Sequence, residues 1–321
     1  EVMPIYKIHK FLIIDSEIEL FPSTFAVDRD AGKIDLKIQV KNDEFFDLDL
    51  NNHFELMPGI YCSADCGSLI SKFPFLGFDC SLRVEGLNIG ENLTLSINPK
   101  YKFVTRHLIR MPVSSLFPLE HFLKLTLARL LEAQGAQLIF GAAASINDKS
   151  FLIASFGSMG KTTLLLELHK RLGDKLKILG DDTCIAYRDK LYSYPQDVRV
   201  RGKGSKFFHL EKFVSPEELF PNSIVDELAI THMFFLERSS IKKIRTLEPK
   251  DAFRQFKALQ SKTLPISFER HNAGLSYISR KFQPNIPVET NYEFMSRCRF
   301  TSVKGNLENQ ADTIMEIIHG K

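Results

Sequence analysis

An α/β domain on a mixed sheet, preceded by a β-rich domain, is the fold class that this sequence predicts. Three observations carry it. Short apolar clusters between Asn, Asp, Gly and Pro punctuation fill residues 1–112. From residue 119 onward, helical stripes alternate with buried strand-like runs. One of those runs leads straight into a glycine-containing turn that opens a helix.

Within 1–112, the segments 10–14, 33–40, 93–97 and 101–105 read as strands, and no catalytic motif stands among them. Residues 112–118 begin and end with proline and read as a linker, giving domains of 1–112 and 119–321. A helix follows over 119–134, where Leu119, Phe122, Leu123, Leu127, Leu130 and Leu131 form one stripe and Gly135 stops it. Small apolar residues over 136–145, a turn at Asn147-Asp148-Lys149 and an apolar run over 151–155 predict two strands joined tightly. An amphipathic helix is expected over 161–172, then a buried strand over 176–179 ending at Gly180-Asp181-Asp182. Further strands are expected over 184–188, 191–194, 232–237 and 297–303, with helices over 249–259 and 307–318.

Bulk composition narrows the partners. The 321 residues suggest two domains or one large one, and 44% hydrophobic with 25% charged residues is ordinary globular content. With 42 basic against 39 acidic side chains, no global field suits a nucleic acid, so none is expected as partner. No run of about 18 apolar residues is present, so no membrane span is expected. The first residues also lack the charged-then-apolar pattern of a secretion signal. Five cysteines at loose spacing (Cys62, Cys66, Cys80, Cys184 and Cys298) predict reduced thiols and a cytoplasmic setting. Cys62, Cys66 and Cys80 with His53 are a loose zinc set, and buried thiols are the simpler reading. Among the scattered histidines, only His209, just past a basic loop, merits a test.

The chemistry concentrates in Ser155-Phe156-Gly157-Ser158-Met159-Gly160-Lys161-Thr162-Thr163. The phosphate-loop pattern asks for Gly, four residues, then Gly-Lys-Ser/Thr between a strand and a helix; here Ser155 replaces the first Gly. Gly157 and Gly160 let the backbone curl so that successive N–H groups face phosphate oxygens, and the helix N-terminus adds its dipole. Lys161 would reach the β- and γ-phosphates, and Thr162 would offer its hydroxyl to Mg²⁺. Ser155 is tolerable in the turn if its φ is negative.

Alone, Gly180-Asp181-Asp182 is a plain turn. Beside a phosphate loop it supplies carboxylates for a metal, and adjacent strand residues would face opposite ways, one to the metal and one to an incoming hydroxyl. The stretch from Asp197 through Arg199, Arg201 and Lys203 to Lys206 is either a solvated basic loop or a grip on phosphate or an acidic substrate.

This order of strand pair, phosphate loop, helix, Gly-Asp-Asp and Arg201-Gly202-Lys203-Gly204 resembles the HPr serine kinase/phosphorylase family and its cousin phosphoenolpyruvate carboxykinase. Residues 234–238 and the last strand and helix look like the small stand-alone relatives. The resemblance covers about residues 119–321 and implies an HPr kinase/carboxykinase-like mixed-sheet nucleotide-binding domain. It implies an ATP-dependent kinase acting on a hydroxyl of a peptide, protein or small molecule with Mg²⁺; GTP stays open as donor, since no base-reading motif is visible. Carried over, Lys161 binds phosphates and Thr162 and Asp182 hold the metal. Asp181 is then the base and Arg201 neutralises phosphate, and the two aspartate roles can be exchanged. Phe140-Gly141 stands where those kinases carry a His before the Gly, and Arg199 where they carry Glu. These departures point away from HPr itself and the reverse reaction, and open a second reading: a catalytically weak nucleotide sensor that regulates a partner. The β-rich region would present substrate or join copies of the chain in a homo-oligomer.

Overall fold

Short segments whose buried and exposed positions alternate build the first nine strands of the computed structural model into one sheet. The structure describes residues 4–19, 21–28, 32–49, 51–75, 78–87, 92–103, 119–156, 159–201, 211–261, 271–278 and 292–320. Two units emerge. One comprises Glu1–Gly135, Arg201–Lys212 and Pro265–Val288, and the other Ala136–Val200, Phe213–Leu264 and Glu289–Lys321. The proposed linker 112–118 lies outside the described residues.

In the first unit the strands are β1 (Ile5–Ile8), β2 (Leu12–Ser16), β3 (Ala26–Val27), β4 (Leu36–Val40), β5 (His53–Met57), β6 (Ile60–Ser63), β7 (Ser68–Phe75), β8 (Phe78–Glu85) and β9 (Leu93–Ile97). Their order is β3-β1-β2-β4-β9-β8-β7-β6-β5, and β4 runs parallel to both β2 and β9. In β2, Leu12, Ile14 and Ser16 are buried while Ile13 and Asp15 between them are not, so one face of the strand packs. Residues 101–105 were expected as a strand; instead α1 (Pro99–Phe103) is helical. Asn98 accepts from the Tyr101 amide at 3.0 Å and Pro99 takes the first helical position, so a capped start overrides the apolar clustering. Helix α2 (Leu119–Ala133) buries Phe122, Leu123, Leu127, Leu130 and Leu131, as its stripe predicts. It belongs to this first unit, whereas the sequence grouped it with the later domain. A helical segment over 271–278 carries His271, whose Nδ1 lies 2.7 Å from the Ser71 hydroxyl and whose ring meets Phe122 edge-on.

The second unit is a mixed α/β assembly. Its strands are β10 (Gln137–Phe140), β11 (Ala142–Ile146), β12 (Lys149–Ala154), β13 (Leu176–Gly180), β14 (Thr183–Tyr187), β15 (Lys190–Ser193), β16 (Val198–Arg201, whose last residue is counted in the first unit), β17 (Glu211–Val214, whose first two residues are too), β18 (Glu227–Leu228), β19 (His232–Arg238), β20 (Lys243–Thr246) and β21 (Arg299–Gly305). Between them lie α3 (Lys161–Leu172), α4 (Pro216–Leu219), α5 (Pro249–Ser261) and a closing helix Leu307–His319. One sheet runs β13-β11-β12-β19-β21-β20 and another β10-β14-β15-β18. In the six-stranded sheet β12, β19 and β21 are parallel neighbours, while β13, β11 and β20 pair antiparallel. Both faces are covered. Phe151, Ile153, Phe234 and Leu236 pack with Leu164, Leu165 and Leu168 of α3 and Ile314 and Ile318 of the closing helix. Leu152, Ala154, Met233 and Phe235 pack on the other side with Ile139, Cys184, Leu191 and Phe256. Burial on both faces is why these strands read as continuous apolar runs rather than alternating ones.

The apolar run 136–145 is two strands, not one, broken at Gly141 between the two sheets. A methyl group there would stand 2.8 Å from Leu152 Cδ1 and 3.1 Å from the Ile153 carbonyl oxygen, so any side chain requires these neighbours to shift. The β11–β12 hairpin turns at Asn147 with φ of 54°, a conformation Asn tolerates. Among the described residues no helix is long and apolar enough to cross a membrane.

Candidate functional site

The site forms where the carboxyl ends of β12, β13 and β19 meet the N-terminus of α3. In open α/β sheets, ligands bind outside the carboxyl ends of strands. Strand β12 ends at Ala154, Ser155 is buried, and Phe156 is exposed; α3 begins at Lys161. Ser155 is not among the described residues with positive φ, so it occupies the first loop position without left-handed strain. Gly157 and Ser158, expected in the phosphate cradle, lie outside the described residues. Met159 and Gly160 are half-buried and Thr163 is exposed.

Gly160 is the N-cap of α3, with φ of 95° and ψ of 27°. It makes no side-chain cap, and the first intrahelical bond runs from the Leu164 amide to the Gly160 carbonyl at 2.9 Å. The amides of Lys161, Thr162 and Thr163 therefore have no intrahelical acceptor and carry the positive end of the helix dipole. No acidic side chain occupies the first turn of α3, and His169, Lys170 and Arg171 fill its last.

Two contacts join this helix start to the acidic pair. The Thr162 hydroxyl donates to Asp181 Oδ2 at 2.9 Å, and Lys161 Nζ lies 3.3 Å from Asp182 Oδ1. Asp181 is 5% exposed and Lys161 8%, whereas the Asp182 side chain is 51% exposed. The other Asp181 oxygen, Oδ1, accepts from the Gln196 amide at 3.2 Å. Asp181 and Asp182 occupy the bend between β13 and β14 rather than a strand. The bend is held: the Gly141 amide donates to the Asp182 carbonyl at 2.8 Å, and Phe140 pairs with Thr183. The sequence assigned Asp182 to the metal with Thr162 and Asp181 to the acceptor, with the two roles exchangeable; in the structure it is Asp181 that Thr162 bonds and Asp182 that Lys161 meets.

Beneath the pair lies Cys184. Burial pushes its thiol far up, and the neighbouring Asp181 and Asp182 carboxylates add to that, so it stays a protonated thiol. Strand β16 carries Arg201 at its end, while the basic residues Lys203 and Lys206, and His209, lie outside the described residues. Cys62, Cys66 and Cys80 are buried thiols not joined in a disulfide. Among the described residues, no group of three or more His, Cys, Asp or Glu is placed to hold a metal.

Two residues escaped the sequence reading as members of the site. Gln196 follows β15 in a Tyr-Pro-Gln-Asp stretch that no motif marks. Arg238 ends β19, the parallel neighbour of β12, and its guanidinium stands against Gly160. For Arg238 the sequence shows only a cation closing a strand; that this strand lies beside β12 comes from the sheet pairing.

No family model matches the chain, and no curated protein does. Among solved structures it is similar to the Hpr(Ser) kinase/phosphatase from Coxiella burnetii, at 14% identity and a TM-score of 0.31 over 57% of this chain and 95% of that one. At that score the likeness is too weak to carry an argument, and the site stands on its own geometry.

Proposed function

We propose that this chain is a phosphotransferase of HPr kinase-like arrangement. It moves the γ-phosphoryl group of a nucleoside triphosphate, ATP foremost with GTP open, to a hydroxyl of a peptide, protein or small molecule. The observation that carries this reading is the double contact of Lys161 with Asp182 and Thr162 with Asp181 at an uncapped helix start.

Magnesium fits the donors present. Thr162 and Asp181 offer hard oxygen ligands, and Mg²⁺ in such sites takes one or two protein oxygens and fills the rest with water and substrate phosphates. When bound, the ion would neutralise phosphate charge. The chain's own residues do the rest. The amides at the start of α3 and the Lys161 ammonium hold the phosphates and orient the γ-phosphorus. Asp182, half-exposed, accepts the proton of the acceptor hydroxyl; the hydroxyl oxygen bonds to the γ-phosphorus as the bond to the β–γ bridging oxygen breaks, and the nucleoside diphosphate leaves. Asp181, buried and held on both oxygens, serves the metal side.

One observation favours the second reading, a nucleotide sensor. Phe140 offers no titratable group, and its N–H and C=O are both taken by Gln260, at 2.7 and 2.9 Å. Protein incubated with Mg-ATP and a pool of hydroxyl acceptors separates the two. Labelled product together with a raised melting temperature supports the kinase. A raised melting temperature alone supports the sensor, since ligand at 100 times Kd stabilises by about 2.7 kcal/mol. Neither response would remove both readings.

A further inference from the structure

Arg238 is held on a rigid strand end and aimed at the loop. It pairs with Gly305 across the parallel β19–β21 ladder. Just before it, the carbonyl of Glu237 accepts from the Gln310 amide at 3.2 Å, which also donates to the Gly305 carbonyl at 3.2 Å. The Ser239 amide donates to the same Gly305 carbonyl, at 3.2 Å. With its backbone fixed on both sides, the side chain reaches across to the phosphate loop. A methyl group at position 160 would stand 3.0 Å from Arg238 Nη2, 3.8 Å from Cζ and 3.9 Å from Nε.

That guanidinium has no carboxylate partner among the described residues; its neighbour Glu237 is taken by Lys304 at 2.5 Å. A cation left exposed beside three helix-start amides with no intrahelical acceptor raises the positive potential in front of Gly160 and Lys161. Glycine at 160 leaves that approach open, since even a methyl group there would stand 3.0 Å from Arg238 Nη2.

We propose that Arg238 is a second fixed cation of the nucleotide site, its planar fork gripping a phosphate oxygen across Gly160. This inference rests on the nucleotide reading above. It adds to Lys161 a group of different geometry: a bidentate donor on a strand rather than a point charge on a helix.

The test is calorimetric titration of Mg-ATP, and separately of Mg-tripolyphosphate, into the wild-type chain, Arg238→Met and Arg238→Lys. Melting temperatures are taken without ligand. Arg238→Met should weaken both ligands about tenfold or more and leave the ligand-free melting temperature unchanged. Arg238→Lys should recover part of the loss. Binding by Arg238→Met within about twofold of wild type, in a wild type that binds, overturns the role of Arg238 and leaves the nucleotide reading standing. If Arg238→Met does not fold, Arg238→Lys decides: affinity equal to wild type counts against the bidentate grip. Wild-type protein that binds neither ligand overturns the nucleotide reading and this inference together.

Discussion

The Thr162 hydroxyl donates to Asp181 Oδ2 at 2.9 Å, tying the first turn of α3 to the bend between β13 and β14. That bond places one carboxylate beside the residue expected to hold metal and leaves Asp182, paired with Lys161, facing outward. The two aspartates are therefore not equivalent.

On the proposed assignment of Asp182 as proton acceptor, Asp182→Asn should lower kcat by about 10² to 10⁴ with little change in nucleotide affinity. Asp181→Asn should instead raise the Mg²⁺ concentration needed for half-maximal nucleotide binding. Steady-state kinetics with a magnesium titration reads both. Swapped phenotypes would restore the allocation with Asp181 as base.

Gly160→Ala should destabilise the protein and weaken nucleotide binding together. Its φ of 95° is in the left-handed region, which costs an L-residue about 1–2 kcal/mol, and the added methyl would press on Arg238. A fall in melting temperature of roughly 2–8 °C is expected by differential scanning fluorimetry. An unchanged melting temperature would show that the turn relaxes freely.

His271 makes the first unit sensitive to acid. Burial is the main cause that lowers its pKa to about 3, with nearby Arg129 adding to it, so the ring is neutral in the folded state. An unfolded histidine titrates near 6.5, so between about pH 6.5 and 3 the unfolded state binds the extra proton. Stability is thus flat above 6.5 and falls as pH drops through that window, by at most about 1.4 kcal/mol per pH unit from this group. Urea unfolding at pH 7.5 and 5.5 should show the fall, and His271→Asn should flatten it. An identical slope in the variant would mean that other groups carry the dependence.

Much of the site was legible in the chain because it is local. The bounds of α3 match the expected Lys161–Leu172, and the β11–β12 hairpin turns at the expected Asn147. The short buried strand does end at Gly180 before the acidic pair. What escaped the sequence depends on distant partners or on capping. The Asn98-Pro99 start of α1 was masked by apolar residues at Tyr101 and Phe103. Which aspartate meets Thr162 is set in a bend where the Gly141 amide, 41 residues away in the chain by the difference between positions 182 and 141, bonds the Asp182 carbonyl. Gln196 and Arg238 join the site only through tertiary packing, which periodicity does not report.

The measurement closest to the central claim is isothermal titration of Mg-ATP into the wild-type chain and into Lys161→Ala. Saturable heat in the wild type, lost or reduced about tenfold or more in affinity without Lys161, is the expected result. No heat with any Mg-nucleotide from well-folded wild-type protein, or equal binding by Lys161→Ala, would contradict the account.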